Sequence, residues 1–237
     1  MSTVEECVQP TKVLPALEAG QRLDQPTFHE RYEAMPEGTW AELVGGLVYM
    51  PSPVRSEHGE YDEVSALWTG IYRKSTRGVR GGRNSTVILD VSGECQPDGQ
   101  LRIPQELAGQ TRIVQGYIVG APELLIEIAR SSRHYDLNEK KSDYERAGAL
   151  EYIVFELDPD RVHWFIRRAD HFEDLSPGPD GIYRSECFPG LWLNPEAFYA
   201  EDLDRLVEVV EQGVRTPEHA DFAARLAEAR RLASGAH

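Results

Sequence analysis

The stretch that most constrains this chain is "PELLIEIARSSRHYDLNEKKSDYERAGALEYIVFEL", residues 122–157. Two apolar runs, "LLIEIA" and "EYIVFEL", have the length and composition of strands, and a helix-forming segment separates them. Gly148 stands where a helix commonly ends, at the position that favours left-handed backbone. Strands alternating with helices imply an α/β fold with a mostly central sheet. Glu127 interrupts the first run. An ionised carboxylate among apolar strand residues is costly unless something pairs with it. Side chains alternate along a strand, so Leu125, Glu127 and Ala129 share one face, and Leu124, Ile126 and Ile128 share the other. The second set suits packing under a helix; the first puts one acid on a cleft wall. From this stretch alone, an ion pair with Arg130 or Arg133 serves equally well.

The remaining elements follow from pattern. Residues 1–25 lack a period and are expected to form a flexible N-terminal arm. "PTFHERYEAMPEG" predicts a short helix with Thr27 as its cap, Glu30 three residues on, and Pro36 and Gly38 as its stop. "WAELVGGLVYM" predicts a hairpin turned at Gly45-Gly46. "SEHGEYDEVSALWTGIYRKST" predicts a helix with Tyr61, Val64, Leu67, Trp68, Ile71 and Tyr72 on one face. "STVILDV", "QLRI" and "VHWFIRR" read as strands, and a hairpin of weaker strands is expected over 170–188. Two helices are expected over 201–234. Phe222, Leu226 and Ala229 form a narrow apolar stripe on the second, suited to packing on the domain or on a second copy, so a homodimer is allowed. The division is 1–25 arm, 26–200 principal domain and 201–237 helical appendage.

Composition excludes several classes. At 41% hydrophobic residues the chain has enough apolar material for a core. No apolar run is long enough to span a membrane, and "MSTVEECVQP" lacks the apolar segment of a signal peptide, so a cytoplasmic protein is expected. Cys7, Cys95 and Cys187 lie far apart, which argues against structural zinc and a disulfide framework. A formal net charge of −15 counts against a nucleic-acid partner. The charge is uneven, however: Arg73, Lys74, Arg77, Arg80 and Arg83 fall in a stretch without acids. That stretch reads as a solvated helix end or as a phosphate contact.

The chain has no GxSxG elbow, HExxH, GxxxxGK[ST] or GxGxxG motif. What remains is carboxylates with one well-placed lysine. Asp98 lies in "QPDGQL"; Pro-Asp-Gly is a turn signature in itself, and a second copy occurs at Pro179-Asp180-Gly181. Asp136, Lys140 and Tyr144 follow at helical spacing along one stripe. As an exposed pair, Asp136 and Lys140 would contribute roughly 0.3–0.5 kcal/mol. The functional reading is that Lys140 reaches the cleft holding Glu127.

With these residues in view, the chain resembles the Uma-two family of endonucleases, which have the PD-(D/E)XK restriction-nuclease fold. The resemblance covers about residues 27–207. It rests on "FHERYEAMPEGTWAELVGGLVYMPSPVRSEHGEYDEV", "QPD", "PELLIEIARSSRHYDLNEKKSDYERAGALEYIVFELDP" and "FPGLWLN". It implies a restriction-endonuclease-like α/β fold: a central mixed sheet flanked by helices, with the C-terminal helices appended. It implies that Asp98 and Glu127 are the two signature acids, that Glu42 completes the metal site, and that His58 matches a family position. The signature lysine normally stands two residues after the acid, where this chain has Ala129. The resemblance points instead to Lys140 on the helix, with Lys141 as a substitute. Gly99 departs from the family's apolar residue after Pro-Asp and leaves Asp90 or Glu94 as alternative ligands. The implied activity is phosphodiester hydrolysis, in DNA in preference to RNA, with Mg²⁺ or Mn²⁺ held by carboxylate oxygens. The competing expectation is a nuclease fold whose site has decayed, acting as a binding or assembly module.

Overall fold

Two mixed six-stranded sheets carry the strand patterns. In the computed structural model, which describes residues 14–51, 53 and 55–235, the chain begins α1 (Gln25–Glu33), β1 (Glu42–Val44), β2 (Leu47–Tyr49), α2 (Ser56–Ser75) and β3 (Arg80–Gly82). It continues β4 (Val87–Asp90), β5 (Gly93–Cys95), β6 (Gly99–Arg102), β7 (Arg112–Val114), β8 (Tyr117–Val119) and β9 (Leu124–Ala129). A continuous helical segment follows: α3 (Arg133–Tyr135), one π-helical turn (Asp136–Lys140) and α4 (Lys141–Ala147). Then come β10 (Glu151–Leu157), β11 (Asp160–Arg168), β12 (His171–Asp174), β13 (Tyr183–Arg184) and β14 (Trp192–Leu193). Helices α5 (Pro195–Tyr199), α6 (Leu203–Gly213) and α7 (Pro217–Ser234) complete the fold.

The first sheet is ordered β2-β1-β5-β4-β8-β7 and the second β12-β11-β10-β9-β6-β3. β9 and β10 are parallel, with Glu127 opposite Val154, and the helical segment makes the crossover that parallel strands require. β6 runs antiparallel to β9 with Gly99 opposite Ile126. The short link from β5 to β6 passes from one sheet to the other and carries Asp98.

Alternation along β9 assigns its two faces as expected. Ile126 and Ile128 join Trp68 and Tyr72 of α2 in one core, while Leu125 and Ala129 join Tyr144, Tyr152 and residues of the first sheet in another. Gly148 ends α4 with φ 90°, and Gly45 and Gly46 both take positive φ in the β1–β2 turn. α7 packs on the domain through Phe222 and Leu226. No helix among the described residues is long and apolar enough to cross a membrane.

The expected mixed sheet flanked by helices is present, and a second mixed sheet stands beside it. Three finer expectations are corrected. α1 is capped by Asp24, whose Oδ1 accepts from Thr27 N at 2.9 Å; Pro26 in the first turn starts the helix before Thr27. Residues 170–188 do not form one hairpin: β12 turns back on β11, and β13 pairs with β14. Of the expected arm, residues 1–13 lie outside the described residues. Beyond them, Leu17 is buried, and Gly20 N and Leu23 N donate to Val48 O and Gly46 O at 2.8 and 2.9 Å, which fixes this part to the hairpin.

Candidate active site

The two sheets bring residues that are distant in sequence to one place. Glu127 comes from β9, Glu42 from β1 of the other sheet, and Lys140 from the π-helical turn. Lys140 Nζ lies 3.0 Å from Glu127 Oε1 and 3.0 Å from Glu42 Oε2, and all three side chains are buried. Tyr144 OH donates to Glu127 Oε1 at 2.7 Å, and Gln96 N donates to Glu42 Oε1 at 2.7 Å. The stripe of Asp136, Lys140 and Tyr144 therefore faces inward, and the exposed-pair reading fails. Such π turns are frequent at functional sites. Tyr135 stacks on Tyr49 with ring centroids 4.1 Å apart, and Lys140 Nζ lies 5.9 Å from the Tyr135 ring. Arg130 and Arg133 do not serve Glu127: they pair with Glu57 and Glu156.

Asp98 lies in the link just before Gly99, whose partner on β9 is Ile126, and its charge reaches Glu127. Asp98 Oδ2 accepts from Ile128 N at 2.7 Å and lies 3.1 Å from His58 Nε2. Gly99 also has a structural reason. A Cβ there would overlap the Arg83 guanidinium, whose Nη1 donates to Ser65 Oγ at 3.1 Å and which pairs with Asp62. The alternative ligands are engaged elsewhere. Asp90 accepts from Ser92 and Arg146, and Glu94 lies 2.9 Å from His29 Nδ1 and accepts from Gln25 Nε2 at 2.7 Å. Lys141 lies over the Phe165 ring, with Nζ 3.7 Å from its centroid.

The electrostatics are those of crowded acids. Burial pushes the Glu127 carboxyl well above its ordinary range; Lys140 opposes this, and Asp98, Asp136 and Glu42 push it further. Burial alone would lower the Lys140 ammonium, but Glu127, Glu42 and Asp136 outweigh it and hold it raised. Asp136 is pushed up to about 6, by burial first. Burial works to raise Asp98 too, yet the hydrogen bond from His58 leads the groups that hold it below its ordinary range.

Carboxylate oxygens suit a hard divalent cation, and the acid-rich field would be relieved by one. Among the described residues no three His, Cys, Asp or Glu side chains are arranged to hold a metal ion. Mg²⁺ commonly takes only one or two protein carboxylates and fills the rest of its shell with water. Glu42, with its oxygens on Lys140 and Gln96, fits better as the lysine's anchor than as a third ligand. Sequence reasoning missed three contributions: the Tyr144 hydroxyl on Glu127, the burial of Asp136, and Arg83 packed on Gly99. The Lys140–Tyr144 spacing held the signal for the first.

Comparisons with known proteins agree with this architecture. The model of the Uma2 family, described as "Putative restriction endonuclease", matches residues 27–196. No curated protein matches the chain. Among solved structures, the chain is similar to one described as a putative nuclease belonging to DUF820 from Anabaena variabilis ATCC 29413. The TM-score is 0.50 at 16% identity, over 76% of this chain and 97% of that one. That likeness is one of fold. The family match spans most of the chain, including Glu42, Asp98, Glu127 and Lys140, and the chain belongs to the Uma2 family of restriction endonuclease-like proteins.

Proposed function

We propose that this chain is a metal-dependent endonuclease that hydrolyses phosphodiester bonds, in DNA in preference to RNA. The observation that carries the reading is the buried Lys140 ammonium, held at 3.0 Å by both Glu127 and Glu42, with Asp98 bound to the backbone of the same strand through Ile128 N at 2.7 Å. Asp98 and Glu127 are the residues that would hold Mg²⁺ or Mn²⁺. When bound, the cation supplies an activated water and neutralises charge developing on the phosphate.

The protein's own groups divide the remaining work. Glu42 and Tyr144 fix Lys140 and Glu127 in place, so that neither rearranges during reaction. Lys140 is a permanent cation beside the acids, suited to orienting the attacking water and to stabilising negative charge on the phosphoryl oxygens. His58 steadies Asp98. Plasmid cleavage with Mn²⁺ tests the reading: wild type nicks or linearises the plasmid and Glu127→Ala does not. An RNA of matched sequence reports the preference.

A decayed site is the second reading. It is favoured by one observation, that Glu127, Glu42 and Asp98 each already have protein partners. Calorimetric titration separates the two, since a decayed site binds neither Mg²⁺ nor Mn²⁺ in a carboxylate-dependent way.

A further inference from the structure

The basic stretch at the end of α2 keeps its charges clear of acids. Arg73, Lys74, Arg77 and Arg80 are exposed, and among the described residues none of them holds an ion pair. Arg83 is the exception in that stretch, taken up by Asp62 and Ser65. Arginines on other parts of the surface are neutralised: Arg168, Arg184, Arg205 and Arg215 each pair with a carboxylate.

The fold gathers the free charges around β3, the edge strand of the second sheet. Arg73 lies along one side of that edge, where a Cβ at Gly81 would come within 2.9 Å of its Cδ. Arg80 stands opposite Arg102 of β6. Exposed Arg230 arrives from α7, its Cδ 3.7 Å from where a Cβ on Gly78 would lie. Burial and then Arg80 hold the Arg102 guanidinium below its ordinary value; Glu106 and Glu123 oppose them, and Arg73 adds to them. Glu123 is buried with its oxygens on Ile103 N and Gln110 N, so Glu106 is the exposed acid of the two. Two local explanations fall short. Cations suit the C-terminal dipole of α2, and they protect an edge strand from pairing. Those reasons cover Arg73, Lys74 and Arg80, but not Arg77 in the following turn or Arg230 from another helix.

We propose that this rim is a docking surface for the phosphate backbone of a nucleic acid, holding the substrate beyond the bond that is cut. The planar fork of an arginine matches phosphate oxygens. α2 and β6 tie the rim to the candidate centre. Arg73 lies about 22 Å along α2 from His58, at ~1.5 Å per residue. Arg102 lies about 13 Å along β6 from Asp98, at ~3.3 Å per residue. A small phosphate ester touches one place or the other, and only a polymer spans both. At ~3.4 Å per base pair the span is roughly four to six base pairs. With a net charge of −15, the remaining surface repels a polyanion and so orients it onto the rim. The inference rests on the nuclease reading for its partner, but it can be tested separately.

The test is fluorescence anisotropy of a labelled duplex of about 24 base pairs with the metal-free protein, between about 50 and 300 mM KCl. The expected slope of log affinity on log salt is about −4, for roughly four to five phosphates held. Arg77→Gln with Arg80→Gln should lower that slope by about 1.8 and weaken binding by at least about tenfold near ~0.1 M salt. Should that pair fail to fold, Arg73→Gln with Arg230→Gln makes the same test. Arg168→Gln with Arg205→Gln removes as much charge from paired arginines elsewhere and should leave the slope in place. A wild type that does not bind, or equal losses in all three variants, overturns the surface. So does binding of wild type to phosphatidylserine vesicles, lost in the first variant, when no duplex binds; that result assigns the rim to a lipid surface. Duplex binding lost in the rim variants, without Mn²⁺-dependent cleavage by wild type, refutes the nuclease reading alone. Plasmid cleavage by wild type, with duplex binding untouched in the rim variants, refutes the surface alone.

Discussion

Neighbouring strands of the second sheet bury glutamates, and two of these, Glu151 and Glu127, are surrounded very differently. Glu151 on β10 accepts from Glu186 N at 2.7 Å, Cys187 N at 2.9 Å, Ser185 Oγ at 2.8 Å and Trp164 Nε1 at 3.1 Å. All four donors are neutral, and they tie the 185–187 loop to the sheet. Glu127 on β9 has one ammonium, one hydroxyl and three acids within electrostatic reach. Burial raises both carboxyls, but hydrogen bonds draw Glu151 back down whereas neighbouring acids push Glu127 further up. A buried acid satisfied by fixed neutral donors is finished as structure. One placed among other acids, with a single buried lysine against them, is a cluster that a further cation would relieve, and the metal proposal rests on that difference.

The largest expected effect separates the two clusters through Lys140. Lys140→Met should lower cleavage by about 10²–10³-fold, the usual loss for a preorganised charge-stabilising group. It also leaves Glu127 and Glu42 buried without their counter-charge, so urea unfolding in chelator should show a loss of about 3–5 kcal/mol. Unchanged activity would remove Lys140 from the chemistry. Glu151→Ala comes next: four buried donors lose their acceptor, and stability should fall by about 3–4 kcal/mol. The folded fraction should nevertheless keep its Mn²⁺-dependent thermal shift. Loss of that shift in folded Glu151→Ala would break the distinction between the clusters.

A smaller effect concerns pH. Asp136 has a folded value of about 6 against an ordinary 3.8, so the folded state holds its proton more tightly than the unfolded state does. Its contribution is full below about pH 3.8 and is lost as pH rises through 6, a change of order 3 kcal/mol. Asp136→Asn in chelator should therefore gain on wild type between pH 4 and pH 7, measured by melts across that range. Parallel curves would contradict the assignment. Tyr144→Phe should have the mildest consequence, about 1–2 kcal/mol in denaturant unfolding, since it removes one hydroxyl from a carboxylate that keeps its lysine. A loss as large as that of Glu151→Ala would make Tyr144, and not Lys140, the main support of Glu127.

Much of this was legible in residue pattern because local rules govern it. Alternation along "LLIEIA" separated Glu127 from Ile126 and Ile128, and the three-element run around Gly148 gave the crossover. The limits were set by long-range contacts. An Asp–Lys–Tyr stripe at helical spacing looks the same whether it faces water or a cleft, and only the neighbouring sheet decides. Pro-Asp-Gly occurs twice; Asp180 closes a local loop through Arg184, whereas Asp98 bonds across to Ile128. Neither the second sheet nor the seat of Arg83 on Gly99 could be read, because both depend on strands meeting from far apart in sequence. Glu151, at the start of an apolar strand, carried no sign of the four donors that reach it from other elements.

The most direct measurement of the central claim is a thermal melt of wild type, Glu127→Gln and Glu151→Gln, each with chelator and with millimolar Mn²⁺. Wild type should gain from metal by linkage, about 2.7 kcal/mol at a hundredfold excess over the dissociation constant. Glu127→Gln keeps the shape and removes one charge from a repulsive cluster. It should be no less stable than wild type in chelator and should gain little or nothing from Mn²⁺. Glu151→Gln should begin less stable and show the full wild-type gain. A wild type that does not shift with Mn²⁺, or a Glu127→Gln protein that shifts as much as wild type, would contradict the account and leave the decayed fold as the better description.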